Sequence, residues 1–170
     1  MNKKDLQNII SNCHAEGKKV ALSFCSHVPQ EILEAAGLYS LRVPYMNDVN
    51  DAASEILIRN VCPIVKNVCD ICEDPALADA DLILAETSCD GKKKMYELLA
   101  EYKPMEVIHL PNIPDYERSL EMWVMEVRKF KEALEKHFNM TITDDMLNES
   151  IVWNNKLRTQ QARLYELGKY

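Results

Sequence analysis

The strongest constraint on the fold is a pattern that occurs twice, in which a short apolar strand runs into a polar turn and then into a helix. The first copy is KKVALSF at 18–24, followed by a turn and by PQEILEAA at 29–36. The second copy is DADLILAET at 79–87, followed by SCDG and by the amphipathic KKKMYELLAEYK. Strands that alternate with helices in this way predict a parallel sheet covered by helices on both faces.

The remaining segments fit the same architecture. Apolar residues at helical spacing predict a helix over 5–16 that Gly17 ends. DAASEILIRNV at 51–61 predicts another helix, which Pro63 should interrupt, so that Cys62 stands at a helix end. We therefore expect a Rossmann-like α/β fold, a single domain over 1–170, with four parallel strands at 18–24, 40–44, 80–86 and 105–110.

Two long helices are predicted at the carboxyl end of the chain. Between Tyr116 and Phe138 a row of apolar residues repeats at helical spacing, namely Leu120, Val124, Val127, Phe130 and Leu134. Thr143, followed by two aspartates, predicts the start of a last helix that runs towards Gly168. Its later half is polar, which is typical of a surface helix or of one that bridges to another body.

Composition and charge exclude several classes of function. The 20 basic and 27 acidic residues give a net charge of −7, which argues against nucleic acid as a partner. No apolar run approaches the roughly 20 residues of a membrane span, and no secretory leader is recognisable, so we expect a cytoplasmic protein. With only four glycines, neither a GxGxxG nor a P-loop signature can be written, and GxSxG is absent too.

Six cysteines remain to be explained, because a reducing cytosol does not favour disulfides. Cys25 and Cys89 each follow a predicted strand, so both should lie at the carboxyl edge of the sheet, where open α/β folds bind ligands. Cys62 could fold back to that edge, and Cys69 and Cys72 form a CxxC close behind it. Three soft ligands suit an iron–sulfur cluster, but a CxxC also suits zinc or redox chemistry, and buried cysteine is common. The residues alone leave these alternatives open.

Three stretches of the chain carry a family resemblance. FCSHVPQEILEAAG at 24–37, CPIVK at 62–66 and ETSCDGKKKMYELL at 86–99 resemble segments of the 2-hydroxyacyl-CoA dehydratase and benzoyl-CoA reductase superfamily, which includes the double-cubane cluster proteins. HLPNIPD stands where that family has a proline-bearing segment after its next strand. The resemblance extends over essentially the whole chain and includes the D-component of 2-hydroxyglutaryl-CoA dehydratase.

The resemblance implies a [4Fe-4S] cluster held by Cys25, Cys62 and Cys89, with Cys69 and Cys72 as alternative ligands that the shared pattern does not place. It further implies the radical dehydration of a 2-hydroxyacyl-CoA, with an electron supplied by a separate ATP-hydrolysing activator protein. Members of the family have two related α/β domains, and this chain resembles the amino-terminal one. The partner would then be a second domain or a related dehydratase subunit, and we expect the isolated chain to be inactive.

Two other functions stay open at this point. One is a double-cubane reductase relative that does not act on CoA esters, which a CoA-binding test would separate from a dehydratase. The other is a non-catalytic cluster-binding or interaction domain, which metal content would separate from both.

Five polar residues near the predicted edge are candidates for substrate binding. Ser26, His27, Glu31, Ser88 and Lys92 flank the two strand-ending cysteines or begin the helices behind them. Each has an ordinary alternative role. The serines are suited to helix capping, the histidine to a solvated turn, the glutamate to the helix dipole and the lysine to an exposed charged face.

Overall fold

The structure is a computed structural model that describes residues 2–47, 49, 51–75, 79–101, 103–113 and 117–169. Helices and strands alternate along most of the chain, and the two longest helices come last. In chain order the elements are α1 Lys3–Ala15, β1 Val20–Ser23, α2 Gln30–Ala35, β2 Tyr39–Arg42, α3 Ala53–Ile56, α4 Pro63–Glu73, β3 Leu82–Glu86, α5 Asp90–Leu99, β4 Met105–Ile108, α6 Ser119–Phe138 and α7 Asp144–Leu167.

The four strands form one sheet in the order β2-β1-β3-β4, and all three strand pairs are parallel. This confirms the predicted four-stranded parallel sheet. The chain leaves β1 for β2 on one side and later leaves β3 for β4 on the other. Between β1 and β3 the order therefore reverses, which opens a crevice at the carboxyl ends of these two strands.

Helices cover both faces of the sheet, as predicted. Ala21, Leu82 and Leu84 point to one face and belong to a core that also includes residues of α2 and α6. Ile83 and Ala85 point to the other face, where they pack with residues of α4 and α5, and α1 covers that face near β1. Because parallel strands are buried on both sides, β1 and β3 are apolar along nearly their whole length.

Two glycines end helices where the sequence predicts. Gly17 follows α1 with a φ of 74°, and Gly37 follows α2 with a φ of 68°. This left-handed conformation is open to glycine at little cost and strained for residues with a Cβ atom. Gly37 turns the chain directly into β2, so α2 and β2 are set side by side.

The region around Pro63 differs from the sequence expectation. The helix predicted over 51–61 is only the single turn α3, because Leu57 is extended with a φ of −105° and a ψ of 154°. Pro63 does not interrupt a helix but begins α4, at the first helical position, where its missing N–H costs nothing. Cys62 is therefore the residue that precedes a helix, not the residue that ends one.

The predicted apolar face of α6 is buried only in part. Phe130 and Leu134 lie in the core, whereas Leu120 is 71% exposed and Val124 40% exposed. The core that receives α6 involves the part of the helix from Trp123 onward, so the first turn of the helix lies outside that core. The predicted start at Tyr116 lies outside the described residues.

The last helix begins as predicted, because the Thr143 hydroxyl accepts a hydrogen bond from the Met146 amide at 3.3 Å. Its first half packs against α2 through Ser150 and Asn154, which are both buried. Every described residue after Asn154 is exposed, which confirms the prediction of a surface helix. Over the described residues, no helix has the length and apolarity needed to cross a membrane.

Candidate functional site: the cysteine edge and the adjoining cleft

The turns that carry two of the predicted ligand cysteines lie side by side at the crevice between β1 and β3. Cys25 comes two residues after β1 and Cys89 three residues after β3, and both are half-buried. The Cys25 Sγ atom lies 4.0 Å from the hydroxyl oxygen of Ser88, the residue next to Cys89. The parallel register of the two strands thus brings together two turns that are 63 residues apart in the sequence.

Cys62 belongs to the same edge of the sheet. It is exposed and directly precedes α4, just as Cys89 directly precedes α5. The first turns of these two helices touch, because a Cβ atom built on Gly91 would lie 3.3 Å from Val65 Cγ2 and 3.8 Å from Cys89 Sγ. Both cysteines therefore stand at the positive end of a helix dipole, which favours negative groups such as thiolates. We call the region that carries Cys25, Cys62 and Cys89 the cysteine edge.

The cysteine edge is not a closed metal site. Within the described part of the chain, no group of three or more His, Cys, Asp or Glu side chains is placed so that it could hold a metal ion. The three thiols share an edge, but they sit on separate turns that have to approach one another before they can share a ligand.

The CxxC pair lies elsewhere. Cys69 and Cys72 are buried on α4, in the apolar core beneath the sheet, and their spacing continues the helical pattern of Val65 and Val68. Burial raises the pKa of the Cys69 thiol to about 12 and raises that of Cys72 strongly as well. Both thiols are therefore protonated at neutral pH and pack among apolar side chains.

A buried ion pair supports the turn that carries Cys89. Glu86, the last residue of β3, is fully buried, and its Oε1 accepts a hydrogen bond from the Lys92 Nζ at 2.8 Å. Burial alone would raise the pKa of this carboxyl, but hydrogen bonds from Lys92, Ser88 and Cys25 outweigh it and hold the pKa at about 2. The ammonium of Lys92, predicted as a substrate contact, thus already has a partner inside the chain.

Sequence reasoning missed Glu86, although a signal was present. An acidic residue at the end of a fully apolar strand is expected to be buried, and a buried charge requires a partner. Lys92 stands six residues further on, three positions into the helix that returns over the strand. The pairing could have been inferred from those two positions.

A second buried polar group lies near the same turns. The Tyr96 hydroxyl on α5 has no hydrogen-bond partner among the described residues. Burial raises the pKa of Tyr96 most, and nearby acidic side chains, Glu86 among them, raise it further. Among the described residues this hydroxyl is a donor without an acceptor, on a ring of the core against which Cys89 packs.

A cleft of about 1000 Å³ opens beside the cysteine edge, between α2, α6 and α7. We call it the α2–α7 cleft. Three of the predicted substrate-binding residues, Ser26, His27 and Glu31, line it, whereas Ser88 and Lys92 do not. Ser26 and His27 are exposed, and Glu31 forms an ion pair with Arg158 of α7. The cleft thus starts at the residue next to Cys25 and extends towards α7.

The cleft carries more positive than negative side chains. Its cations are Arg42, Arg128, Lys131 and Arg158. Glu31 pairs with Arg158, and Lys131 pairs with Glu135 at 2.7 Å. The Arg42 and Arg128 guanidinium groups have no ion pair among the described residues. Sequence reasoning did not predict this cluster, because its members come from three different elements.

Comparison with known proteins identifies the family of the chain. Residues 25–170 match the family described as "2-hydroxyglutaryl-CoA dehydratase, D-component". The chain is also 36% identical over 153 residues to the protein named "Putative dehydratase subunit YjiM" of Escherichia coli (strain K12). That alignment covers 86% of this chain and 39% of the relative, so the chain spans about two-fifths of the length of the relative.

Proposed function

The chain belongs to the 2-hydroxyglutaryl-CoA dehydratase D-component family, and from that premise we propose that it is the cluster-binding part of a 2-hydroxyacyl-CoA dehydratase. One observation carries the proposal. The turns that carry Cys25 and Cys89 lie side by side at the point where the strand order reverses, with the Cys25 thiol 4.0 Å from the Ser88 hydroxyl. Ligands of open α/β sheets bind at this kind of position.

The residues present suit an iron–sulfur cluster in their chemistry. Cys25, Cys62 and Cys89 would hold it, since iron in such clusters takes thiolates, and two of the three thiols stand at helix N-termini that favour negative charge. The Tyr96 hydroxyl, which has no partner among the described residues, would be a donor for an acceptor bound nearby. A [4Fe-4S] cluster with three protein ligands supplies a Lewis-acidic iron with an open position and one-electron chemistry.

The substrate we propose is an acyl-CoA thioester in the α2–α7 cleft. Ser26 and His27 place polar groups at the end of the cleft nearest Cys25, where the thioester would lie. Arg42 and Arg128 line the same cleft and offer charges for the CoA phosphates. The walls from α2, α6 and α7 restrict water on one side of the reacting carbonyl.

The proposed enzyme needs more than this chain. The relative is more than twice as long as the aligned region, so a second domain or a related subunit would close the other side of the cleft. A separate ATP-dependent activator would supply the electron. The exposed second half of α7 is available for such contacts.

The proposal is tested by anaerobic reconstitution with iron and sulfide. We expect the wild-type chain to retain about one cluster, seen as iron, acid-labile sulfide and the electron paramagnetic resonance signal of the reduced protein. Cys25→Ser, Cys62→Ser and Cys89→Ser should each lose most of it, because an alcohol is a much harder and less acidic ligand than a thiol. Cys13→Ser is the matched control, since that thiol belongs to α1 and is buried in the core between α1 and β1.

Two results would contradict the proposal. Equal iron and sulfide contents in the Cys13→Ser and Cys89→Ser variants would show that Cys89 is not a ligand of the cluster. If the complete complex, with its second half, holds a cluster but binds no acyl-CoA, the chain would be a reductase relative instead.

A further inference from the structure

The stability of the fold does not by itself explain the buried ion pair between Glu86 and Lys92. Burying an ion pair is costly, and replacing such a pair by apolar residues is often neutral or stabilising. In this chain the Glu86 carboxylate is fully buried and the Lys92 side chain is only 11% exposed. A pair of this kind at the end of the central strand calls for a role beyond the stability of the fold.

The carboxylate connects two separate pieces of the chain directly and a third through Ser88. Its Oε1 accepts from Lys92 on α5 at 2.8 Å, and its Oε2 accepts from the Ser88 amide at 2.7 Å. Ser88, whose amide the carboxylate binds, also has its hydroxyl oxygen 4.0 Å from the Cys25 Sγ atom in the turn after β1. One buried side chain thus fixes the turn before Cys89 and the helix that follows, and Ser88 joins that turn to the Cys25 turn.

We propose that Glu86 is a positioning residue that holds the Cys25 turn and the Cys89 turn together, with Lys92 fixing the orientation of its carboxylate. The inference rests on the proposed function only in taking the cysteine edge as the ligand site. The Cys25 and Cys89 turns are then the rigid part of the site. Cys62 is the cysteine that moves towards a bound ligand.

The test uses the metal-free chain and a bifunctional thiol reagent, dibromobimane, with peptide mapping of the linked cysteines. We expect wild-type protein to link Cys25 to Cys89. In Glu86→Gln the yield of that link should fall about tenfold, because the loss of a hydrogen bond to a charged group shifts an equilibrium by this order. Since Glu86→Gln leaves Lys92 buried without its partner, the double variant Glu86→Gln/Lys92→Met, in which both charges are absent, should fold and show the same fall.

Asp81→Asn is the matched control. Asp81 stands at the other end of the same strand and also accepts from a lysine, Lys19, and from a backbone amide, that of Val20, both at 2.8 Å. Its variant should lower stability without changing the Cys25–Cys89 link. No such link in the wild type, or equal links in the Glu86 variants and Asp81→Asn, would overturn the inference.

Iron retention in the same variants separates the two proposals. A wild-type chain that links Cys25 to Cys89 but takes up no cluster would refute the proposed function and leave the positioning role standing. A chain that takes up the cluster equally well with or without Glu86, and shows equal links, would refute the positioning role alone.

Discussion

The Asn154 side-chain amide on α7 donates a hydrogen bond to the Glu34 carboxylate on α2 at 2.6 Å, across 120 residues of sequence. The Ser150 hydroxyl, one turn earlier on α7, donates to the same carboxylate oxygen at 3.2 Å. Both donors are buried, whereas the α7 residues that follow are exposed. Glu34 is therefore the anchor that holds α7 in place as one wall of the α2–α7 cleft.

Replacing Asn154 by Ala should loosen α7. We expect a loss of about 1 to 2 kcal/mol in the free energy of unfolding, since the change removes a buried amide that donates to a charged acceptor. Urea denaturation measures this loss. Asn155→Ala is the control. The Asn155 side chain is exposed, so this change should lower the free energy of unfolding by less than about 0.5 kcal/mol. Equal costs would show that the contact to Glu34 contributes nothing.

Replacing Arg128 by Ala should weaken the binding of an acyl-CoA in the complete complex. The guanidinium lines the cleft without an ion pair among the described residues, so its charge is available to a phosphate. We expect the dissociation constant to rise about fivefold, which is roughly 1 kcal/mol for a partly exposed charge pair. Isothermal titration measures the change. Arg163→Ala, on the exposed part of α7, should leave affinity unaltered, and a similar loss there would point to a non-specific charge effect.

The acid stability of the chain should depend on Asp81. Burial alone would raise the pKa of this carboxyl, but Lys19, the Val20 amide and His14 lower it below its ordinary value of 3.8. A lowered folded-state pKa gives stability that is present above the ordinary value and is lost as the pH falls through the lower folded value. In Asp81→Asn the free energy of unfolding should therefore fall less steeply below about pH 4. Parallel pH profiles for wild type, Asp81→Asn and the exposed control Glu101→Gln would contradict this.

The six thiols should differ in their reactivity towards iodoacetamide. Cys62 is exposed and should react first, whereas Cys69 and Cys72 are buried and protonated and should not react in the folded chain. Timed alkylation followed by mass spectrometry gives the order. In urea all six should react at similar rates. Early labelling of Cys72 in native buffer would show that the α4 core opens readily.

Replacing Tyr96 by Phe should not destabilise the metal-free chain. The hydroxyl is buried without a partner among the described residues, so removing it relieves a desolvation cost and should leave stability unchanged or raise it by up to about 1 kcal/mol. Urea denaturation measures the change. Tyr45→Phe is the control, because that ring is 59% exposed and its hydroxyl should contribute little to stability. A clear loss of stability in Tyr96→Phe would reveal an acceptor for the hydroxyl.

Local patterns predicted the elements well and their ends less well. Gly17, Gly37 and Thr143 mark helix ends where sequence reasoning places them, because each acts on its own backbone. Pro63 has two meanings, since it can stop one helix or start another, and only its neighbours decide between them. The extended conformation of Leu57 is what keeps the preceding helix to a single turn.

The candidate site shows the same difference between what local patterns predict and what distant contacts decide. That Cys25 and Cys89 follow strands was readable from the sequence, whereas the contact between the Cys25 thiol and Ser88 required β1 and β3 to be neighbours. The predicted substrate-binding residues also fall into two groups. Ser26, His27 and Glu31 line the α2–α7 cleft, whereas Lys92 pairs with Glu86.

The sequence by itself determined the alternation of strands and helices, the parallel sheet and the family, because these depend on periodicity and on short motifs. Only the tertiary structure decided the strand order β2-β1-β3-β4, the burial of the Glu86–Lys92 pair and the docking of α7 on Glu34. The physical reason is the distance along the sequence over which each interaction acts. Hydrophobic periodicity acts within a few turns of chain, whereas the partners of a buried charge are selected when distant elements exclude water together.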